Sequence, residues 1–286
     1  MPVDYPKPPY PRQKQPMPGS TAKMDPRPDH GETSYKGAGR LQGMKAVITG
    51  GDSGIGRAVA IAYAREGADV LIAYLSENDD AKEVKDLIEK EGRRAVLASG
   101  DLQSPDHCRT VIQKAIDELG GIDLMVNNAA HQATFKDIGD ISDSEWELTF
   151  RVNIHAMFYL VKAAVPHMKP GSAIVNTASV NSDMPNPSLL AYATTKGAIQ
   201  NFTGGLAQML AEKGIRVHAV APGPIWTPLI PSTMPDEAVT NFGKQVPMKR
   251  AGQPAEVATA YVMLADPFSS YTSGTTVAVT GGKPFI

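Results

Sequence analysis

The amino-acid sequence predicts the α/β fold class, with a doubly wound sheet of about seven parallel strands that carries helices on both faces. From Met44 onward, short apolar runs alternate with longer amphipathic stretches. Such alternation is typical of strands and helices in a parallel sheet. A glycine-rich loop joins the first apolar run to the first amphipathic stretch, and an extended N-terminal arm precedes the whole pattern.

Each strand is predicted from an apolar run of five to seven residues, and each helix from the stretch that follows it. The strand runs are 45–49, 69–75, 94–99, 123–127, 173–177, 216–221 and 275–279. The helical stretches are 55–66, 77–91, 105–119, 143–168, 188–213 and 254–265. Glycines follow four of these helices, where a left-handed helix stop is expected: Gly67, Gly92, Gly120 and Gly214.

The chain divides into a proline-rich N-terminal extension, residues 1–40, and a single domain, residues 41–286. The extension holds nine of the 23 prolines and few aliphatic residues, so it is unsuited to helix or core. One interpretation is a disordered or polyproline-like tail. The alternative is an arm that lies across a neighbouring subunit, anchored by Tyr5, Tyr10 and Tyr35.

The composition of the chain indicates which binding partners, cellular compartment and metal sites to expect. Lys and Arg total 28 against 30 Asp and Glu, a net charge of -2, which does not suggest binding to nucleic acid or to an anionic membrane. The single cysteine, Cys108, cannot form an internal disulfide, no apolar run reaches membrane-spanning length, and residues 1–15 lack a signal-peptide core. We therefore expect a cytoplasmic protein. The six histidines lack metal-ligand spacing, so we expect no metal.

The loop Thr49-Gly50-Gly51-Asp52-Ser53-Gly54-Ile55-Gly56 lies between the first predicted strand and helix. Glycines let a backbone approach a pyrophosphate, and a helix N-terminus offers free N–H groups. A glycine cluster alone is often only a tight turn. Its strand–loop–helix context here favours a dinucleotide site.

Tyr192 and Lys196 lie four residues apart in the predicted helix 188–213, so both face one side, one turn apart. A free tyrosine has a pKa of about 10, and a nearby lysine charge favours its phenolate. We therefore expect Lys196 to bring the pKa of Tyr192 toward neutrality for acid–base chemistry. The pair alone is weak evidence, because many surface helices carry Tyr and Lys at this spacing.

Together the motifs resemble the short-chain dehydrogenase/reductase family. The resemblance rests on the glycine loop, Asn127-Asn128-Ala129-Ala130, Ser179, the Tyr192–Lys196 pair and Pro222-Gly223-Pro224-Ile225-Trp226-Thr227. It covers residues 40 to 286 in the family's order and implies a Rossmann-type fold and an NAD(P)-dependent oxidoreductase. The extension and the glycine-loop variant resemble the bacterial branch that includes general stress oxidoreductases.

The resemblance implies a catalytic set of Asn153, Ser179, Tyr192 and Lys196. Tyr192 would act as general acid or base, and Lys196 would lower its pKa and hold the nicotinamide ribose. Ser179 would orient the substrate oxygen, and Asn153 would kink a helix and hold a water beside the lysine. Taken singly, Ser179 fits a strand-end cap better than a catalytic role, Asn153 fits a polar residue on a helix face, and Tyr192 fits a packed aromatic.

The cofactor-binding set is also implied by the resemblance. Asp101 would meet the adenine amino group, Asn127 to Ala129 would border the adenosine and Thr227 would bind the carboxamide, although Asn127-Asn128 alone reads as a turn. The full set is Gly50, Asp52, Ser53, Gly54, Ile55, Gly56, Tyr74, Asp101, Leu102, Asn128, Ala129, Tyr192, Lys196, Pro222, Gly223, Ile225 and Thr227.

The choice between NAD and NADP rests on charge at the end of the second strand. NAD-using relatives usually carry an acid there, but this chain has Tyr74. NADP-using relatives place cations nearby, where this chain has Ser53 and Leu75, and three acids follow closely. Repulsion of a 2′-phosphate favours NAD, unless Arg57 reaches that phosphate.

An irregular segment, residues 223–252, interrupts the strand–helix pattern and predicts a substrate lid. We expect Ser179, Met184, Tyr192 and Trp226 to contact a small carbonyl or alcohol substrate whose identity the sequence leaves open. The resemblance also implies a homotetramer, with Phe158, Val161, Phe202, Leu206 and Met209 fitting either an interface or internal packing. The alternative function is a catalytically idle nucleotide-binding scaffold, a sensor or stress interaction protein.

Overall fold

The computed structural model describes residues 4–285 and is centred on one parallel sheet. Its strands are β1 (Lys45–Thr49), β2 (Asp69–Tyr74), β3 (Ala95–Ser99), β4 (Leu124–Asn127), β5 (Ala173–Thr177), β6 (Arg216–Pro222) and β7 (Thr276–Val279). They run in the order β3-β2-β1-β4-β5-β6-β7. All seven predicted strands are confirmed, with bounds that differ by at most one residue.

The helices are α1 (Gly54–Arg65), α2 (Asn78–Lys90), α3 (Pro105–Leu119), α4 (Asp143–Phe150), α5 (Ala156–Ala164), α6 (Leu190–Leu210), α7 (Leu229–Thr233), α8 (Asp236–Thr240) and α9 (Pro254–Ala265). Local signals set several of these bounds. In α3, the Ser104 side chain accepts a hydrogen bond from the His107 amide and Pro105 begins the helix. Gly67, Gly92, Gly120 and Gly214 all have positive φ, as predicted.

Helices cover both faces of the sheet, so the predicted double winding is confirmed. Side chains from α1, α2 and α9 pack on one face, where they meet Ala46 and Ile48 of β1. Those from α3, α5 and α6 pack on the other face, where they meet Val47. Because both faces are buried, central strands such as β1, β2 and β5 are largely apolar rather than alternating.

The predicted helix 143–168 is not continuous. A π-helical turn, Arg151–His155, separates α4 from α5, and a 3₁₀ turn ends the segment at His167. The predicted helix 188–213 likewise begins and ends in 3₁₀ turns around α6. Amphipathic spacing does not distinguish these tighter and wider turns from a regular helix.

The N-terminal arm, residues 4–40, packs against its own chain, so the interpretation as a disordered tail is wrong. Tyr10 is buried and stacks on Trp226 with ring centroids 4.2 Å apart. The Tyr5 hydroxyl donates to Asp29 over 2.9 Å, and the Tyr35 hydroxyl donates to Glu66. The predicted anchors are therefore used within one subunit.

The thiol of Cys108 is buried in α3 and donates to the Leu102 carbonyl over 3.2 Å. Burial raises its pKa to about 11.

Within residues 4–285, no helix has the length and apolar character needed to cross a bilayer.

Candidate active site

The glycine loop forms a tight cradle between β1 and α1. Gly50 has φ 62°, and a Cβ on Gly56 would lie 2.0 Å from the Gly50 carbonyl oxygen. Larger residues at these positions would therefore push the loop away from the start of α1. The cradle keeps the first amides of α1 accessible, which fits the pyrophosphate of a dinucleotide.

A network around Thr49 fixes this cradle to the end of β4. The Thr49 hydroxyl accepts from the amides of Asn128 and Ala129, over 2.9 and 3.0 Å. The Asn128 side-chain amide donates to the Thr49 carbonyl over 3.1 Å. Asn128 therefore does more than form a turn, because it connects two strand ends on which the cavity is built.

Tyr192 and Lys196 lie in the first two turns of α6, with the Lys196 Nζ 5.2 Å from the centre of the tyrosine ring. Lys196 is 1% exposed, and its Nζ donates to the Thr177 carbonyl over 2.7 Å. The Thr177 hydroxyl in turn lies 2.7 Å from the Tyr261 hydroxyl. The lysine is thus held in place by the end of β5 rather than by a carboxylate.

The sequence leads us to expect that Lys196 lowers the pKa of Tyr192. In the structure, the pKa of Tyr192 is raised instead. Burial raises the pKa of Tyr192 to about 12, and a hydrogen bond with Ser179 only partly opposes that rise. Burial also lowers the pKa of Lys196 to about 7. Desolvation sets the direction of both shifts, because each group lacks the water that would stabilise its ion.

Ser179 lies two residues beyond the end of β5 and has two roles in the structure. Its hydroxyl accepts from the amide and the side chain of Asn181, over 3.1 and 3.3 Å. It also lies next to the Tyr192 phenol. The capping role and the substrate-facing position are therefore compatible.

Asn153 lies in the π-helical turn, which is the helix irregularity expected of it. Its side chain accepts from the His131 amide over 2.7 Å and donates to the His131 carbonyl and to Thr195, over 2.9 and 3.0 Å. A small cavity of about 10 Å³ lies between Asn153 and Lys196, near the least space that one water needs.

A cavity of about 1040 Å³ opens above the carboxyl ends of the strands. Most of the predicted site residues line it: Gly50, Asp52, Ser53, Gly54, Ile55, Tyr74, Asp101, Leu102, Asn128, Ala129, Ser179, Met184, Tyr192, Lys196, Pro222, Gly223, Ile225 and Thr227. Gly56, Asn153 and Trp226 do not: Gly56 packs against the Gly50 carbonyl and the Asn128 side chain, and Asn153 lines the small cavity instead. A cavity at this edge of a parallel sheet is where dinucleotides bind.

The prediction that Trp226 contacts substrate is wrong for this structure. Trp226 is fully buried and outside the cavity wall, with its indole N–H donating to the Pro26 carbonyl over 2.8 Å. The alternative in which Arg57 reaches a cofactor phosphate also fails. Arg57 is fully buried, and its guanidinium donates to Glu32 and Glu83.

Sequence reasoning missed several residues of the cavity wall. Met17 and Pro18 come from the arm, and Lys283 comes from the C-terminal segment. His131, in contrast, is a residue that the sequence places beside the substrate pocket, and it lines the cavity with its Nε2 2.7 Å from Glu145. Among residues 4–285, no cluster of three His, Cys, Asp or Glu side chains is placed to hold a metal.

The fold, the cradle and the tyrosine–lysine pair define a nicotinamide-dependent oxidoreductase as the class of protein. The family model described as enoyl-(acyl carrier protein) reductase matches residues 50–283. General stress protein 39 of Bacillus subtilis is 49% identical over 282 residues, 98% of both chains. Glucose and ribitol dehydrogenase of Daucus carota is 47% identical over 280 residues, 96% of both chains. The chain belongs to the short-chain dehydrogenase/reductase family of NAD(P)-dependent oxidoreductases.

Solved structures agree with this assignment. A short-chain dehydrogenase from Burkholderia cenocepacia in complex with NADP superposes with a TM-score of 0.80 at 31% identity, over 85% of this chain and 98% of that one. A 3-ketoacyl-(acyl-carrier-protein) reductase from Brucella melitensis complexed with NADH gives 0.77 at 29% identity, with the same coverage. The two neighbours bind different nicotinamide cofactors.

Proposed function

We propose that this protein reversibly transfers a hydride between NAD and a small carbonyl or alcohol substrate, with Tyr192 as the general acid and base. The observation that carries the proposal is the placement of Tyr192, Ser179 and Lys196 in one wall of the cavity that also contains the glycine cradle. The idle-scaffold alternative gains no support, because the proton-transferring residues are present and adjacent.

A bound nicotinamide dinucleotide supplies the ring that gives or accepts the hydride. In reduction, the Tyr192 phenol donates its proton to the substrate oxygen, and a pKa of about 12 keeps that proton in place at neutral pH. Ser179 orients the same oxygen. Burial lowers the pKa of Lys196 to about 7, and the charged form of its amine favours the phenolate that remains.

Replacing Tyr192 by Phe tests this assignment. The ring stays while the transferable proton is lost, so we expect kcat to fall at least ~100-fold, the usual scale of acid–base removal. Affinity for NADH, measured by fluorescence titration, should stay near that of the wild type. Tyr271→Phe, at a fully exposed tyrosine, is the control. Near-normal turnover in the Tyr192 variant would refute the role.

We propose that NAD is preferred over NADP. Asp52, Glu77 and Asp101 line the cavity together with Tyr74. Of the lysines in its wall, Lys196 is held at the Thr177 carbonyl, and Lys283 follows Gly282, which lies against Pro247 of the lid. Burial raises the pKa of Asp52 to about 6. A 2′-phosphate would therefore meet negative charge, and none of the cations that line the cavity among residues 4–285 lies beside it to compensate. Comparing kcat/KM for NADH and NADPH tests the proposal.

The substrate side of the cavity combines apolar and hydrogen-bonding groups. Met184, Ile230, Met234 and Phe242 supply apolar surface, while the amides of Asn181, Asn186 and Gln245 face the same space. The glucose and ribitol dehydrogenase relative makes polyols and sugars the first compounds to test, beside simple ketones and aldehydes. We further propose a cytoplasmic homotetramer: composition led us to expect the compartment, and the family resemblance implied the tetramer.

A further inference from the structure

The N-terminal arm joins the lid, residues 223–252, to the body of the domain. On the lid side, the Tyr10 ring stacks on Trp226 and the Tyr10 amide donates to the Thr240 carbonyl over 2.9 Å. The Gln15 amide donates to the Pro231 carbonyl over 3.1 Å. Tyr10, Met24, Trp226, Ile230, Val239 and Ala251 form a separate apolar cluster, so arm and lid share one small core.

The same arm is also attached to helices α1 and α2 in the body of the domain. The Thr21 amide donates over 2.9 Å to Asp80, a buried carboxylate in the first turn of α2. Further along, Glu32 accepts from the buried Arg57 of α1, over 3.0 Å. These contacts are short and largely shielded from water, so they hold the arm closely.

Between the two sets of anchors, residues 17–21 form a strap that borders the cofactor cavity. Met17 and Pro18 line that cavity together with Ser53 and Gly54 of the cradle. A Cβ on Gly19 would lie 2.7 Å from the Pro228 carbonyl oxygen, so the strap touches the lid directly after Thr227. Met17 is 46% exposed, which leaves its side chain at the mouth of the cavity.

We infer that the strap is part of the dinucleotide site and slows the release of bound cofactor. The lid cannot swing away from the cradle unless the Tyr10–Trp226 stack separates or the strap leaves Asp80. Release of the dinucleotide therefore requires a joint movement of arm and lid. This inference rests on the proposed function, because it needs a dinucleotide in the cavity.

The test is the rate of NADH release, measured by mixing the NADH complex with excess NAD and following nicotinamide fluorescence. Tyr10→Ala should speed release about tenfold, equivalent to about 1.4 kcal/mol. Met17→Ala should speed it about threefold without a change in melting temperature. Tyr10→Phe keeps the stack and should restore slow release. Lys14→Ala, at an exposed arm residue, is the matched control.

A second measurement uses the wild-type chain. Trypsin can cut after Lys14 and Lys23, which are exposed on either side of the strap. Saturating NADH should slow both cuts, and equal cleavage with and without NADH would overturn the inference.

Unchanged release in Met17→Ala and Tyr10→Ala, with NADH still bound tightly, overturns the inference but leaves the proposed function standing. If Tyr10→Ala does not fold, Met17→Ala decides alone. A wild-type chain that binds no NADH overturns both.

Discussion

At the scale of single residues, burial determines the direction in which the pKa values of Tyr192 and Lys196 shift. The spacing of Tyr192 and Lys196 predicts their proximity correctly, but the direction of each pKa shift depends on the surroundings. Among residues 4–285, the hydrogen-bond partner of the lysine amine is the Thr177 carbonyl, and a carbonyl does not replace the water that a full charge requires. Its charge is therefore unfavourable in the folded chain.

Lys196→Met should change how stability depends on pH. The folded-state pKa of Lys196 is lowered to about 7 from 10.5, so between those values the unfolded state binds more protons. The free energy of unfolding of the wild type, relative to the variant, should rise from pH 7 to 9 by at most about 1.4 kcal/mol per unit.

Urea denaturation of both proteins at several pH values measures this difference. Lys213→Met, at an exposed lysine, should give no such dependence. Parallel stability curves for wild type and Lys196→Met would show that burial does not perturb this amine.

At the scale of elements, the end of β2 determines how the adenosine side is lined. Tyr74 is buried and its hydroxyl donates to Asn78 over 2.7 Å, which ties β2 to the start of α2. Leu75, the next residue, is 51% exposed. The element therefore presents an apolar side chain at the position where a cation would favour NADP.

Leu75→Arg should shift cofactor choice. A guanidinium at this position can pair with a 2′-phosphate, so we expect the ratio of kcat/KM for NADPH to that for NADH to rise about tenfold, or about 1.4 kcal/mol. Leu75→Met is the uncharged control of similar size. An unchanged ratio in Leu75→Arg would mean that the 2′ position lies away from β2.

At the scale of the whole molecule, apolar groups remain exposed on the outer face of α5 and α6. Phe158 is 46% exposed and Met209 is 74% exposed, whereas Val161 is buried. Phe202 and Leu206 are partly buried against the core. Of the five candidate interface residues, Phe158 and Met209 thus stay available to a second copy of the chain.

The double variant Phe158→Lys with Met209→Lys should lower the oligomeric state. Like charges brought together across a symmetric contact would repel each other. Light scattering should give about four times the 30.4 kDa chain mass for the wild type and less for the variant. Met263→Lys on α9, also exposed, is the control. A variant of wild-type mass would place the interface elsewhere.

The helices and strands that the sequence predicts well are marked by residues within or next to each element. Ser104, Pro105 and Gly120 mark both ends of α3, and strand runs are recognisable because both faces are buried. The arm lacks such signals, since its contacts join single residues far apart, as Tyr10 and Trp226 do. The proline-rich composition of the arm therefore suggests disorder, although packing against residues far along the chain determines that the arm is ordered. The same packing explains why Trp226 lies in the apolar cluster that the arm and the lid share, and not in the cavity wall.

The buried thiol of Cys108 has a practical consequence. A sulfhydryl with a pKa of about 11 and no path to water resists alkylation near neutral pH, because the thiolate is the reactive form. The native chain thus behaves toward maleimide dyes as though it had no cysteine. A single cysteine substituted at Lys14 would accept one fluorophore selectively, which would make opening of the strap visible in real time.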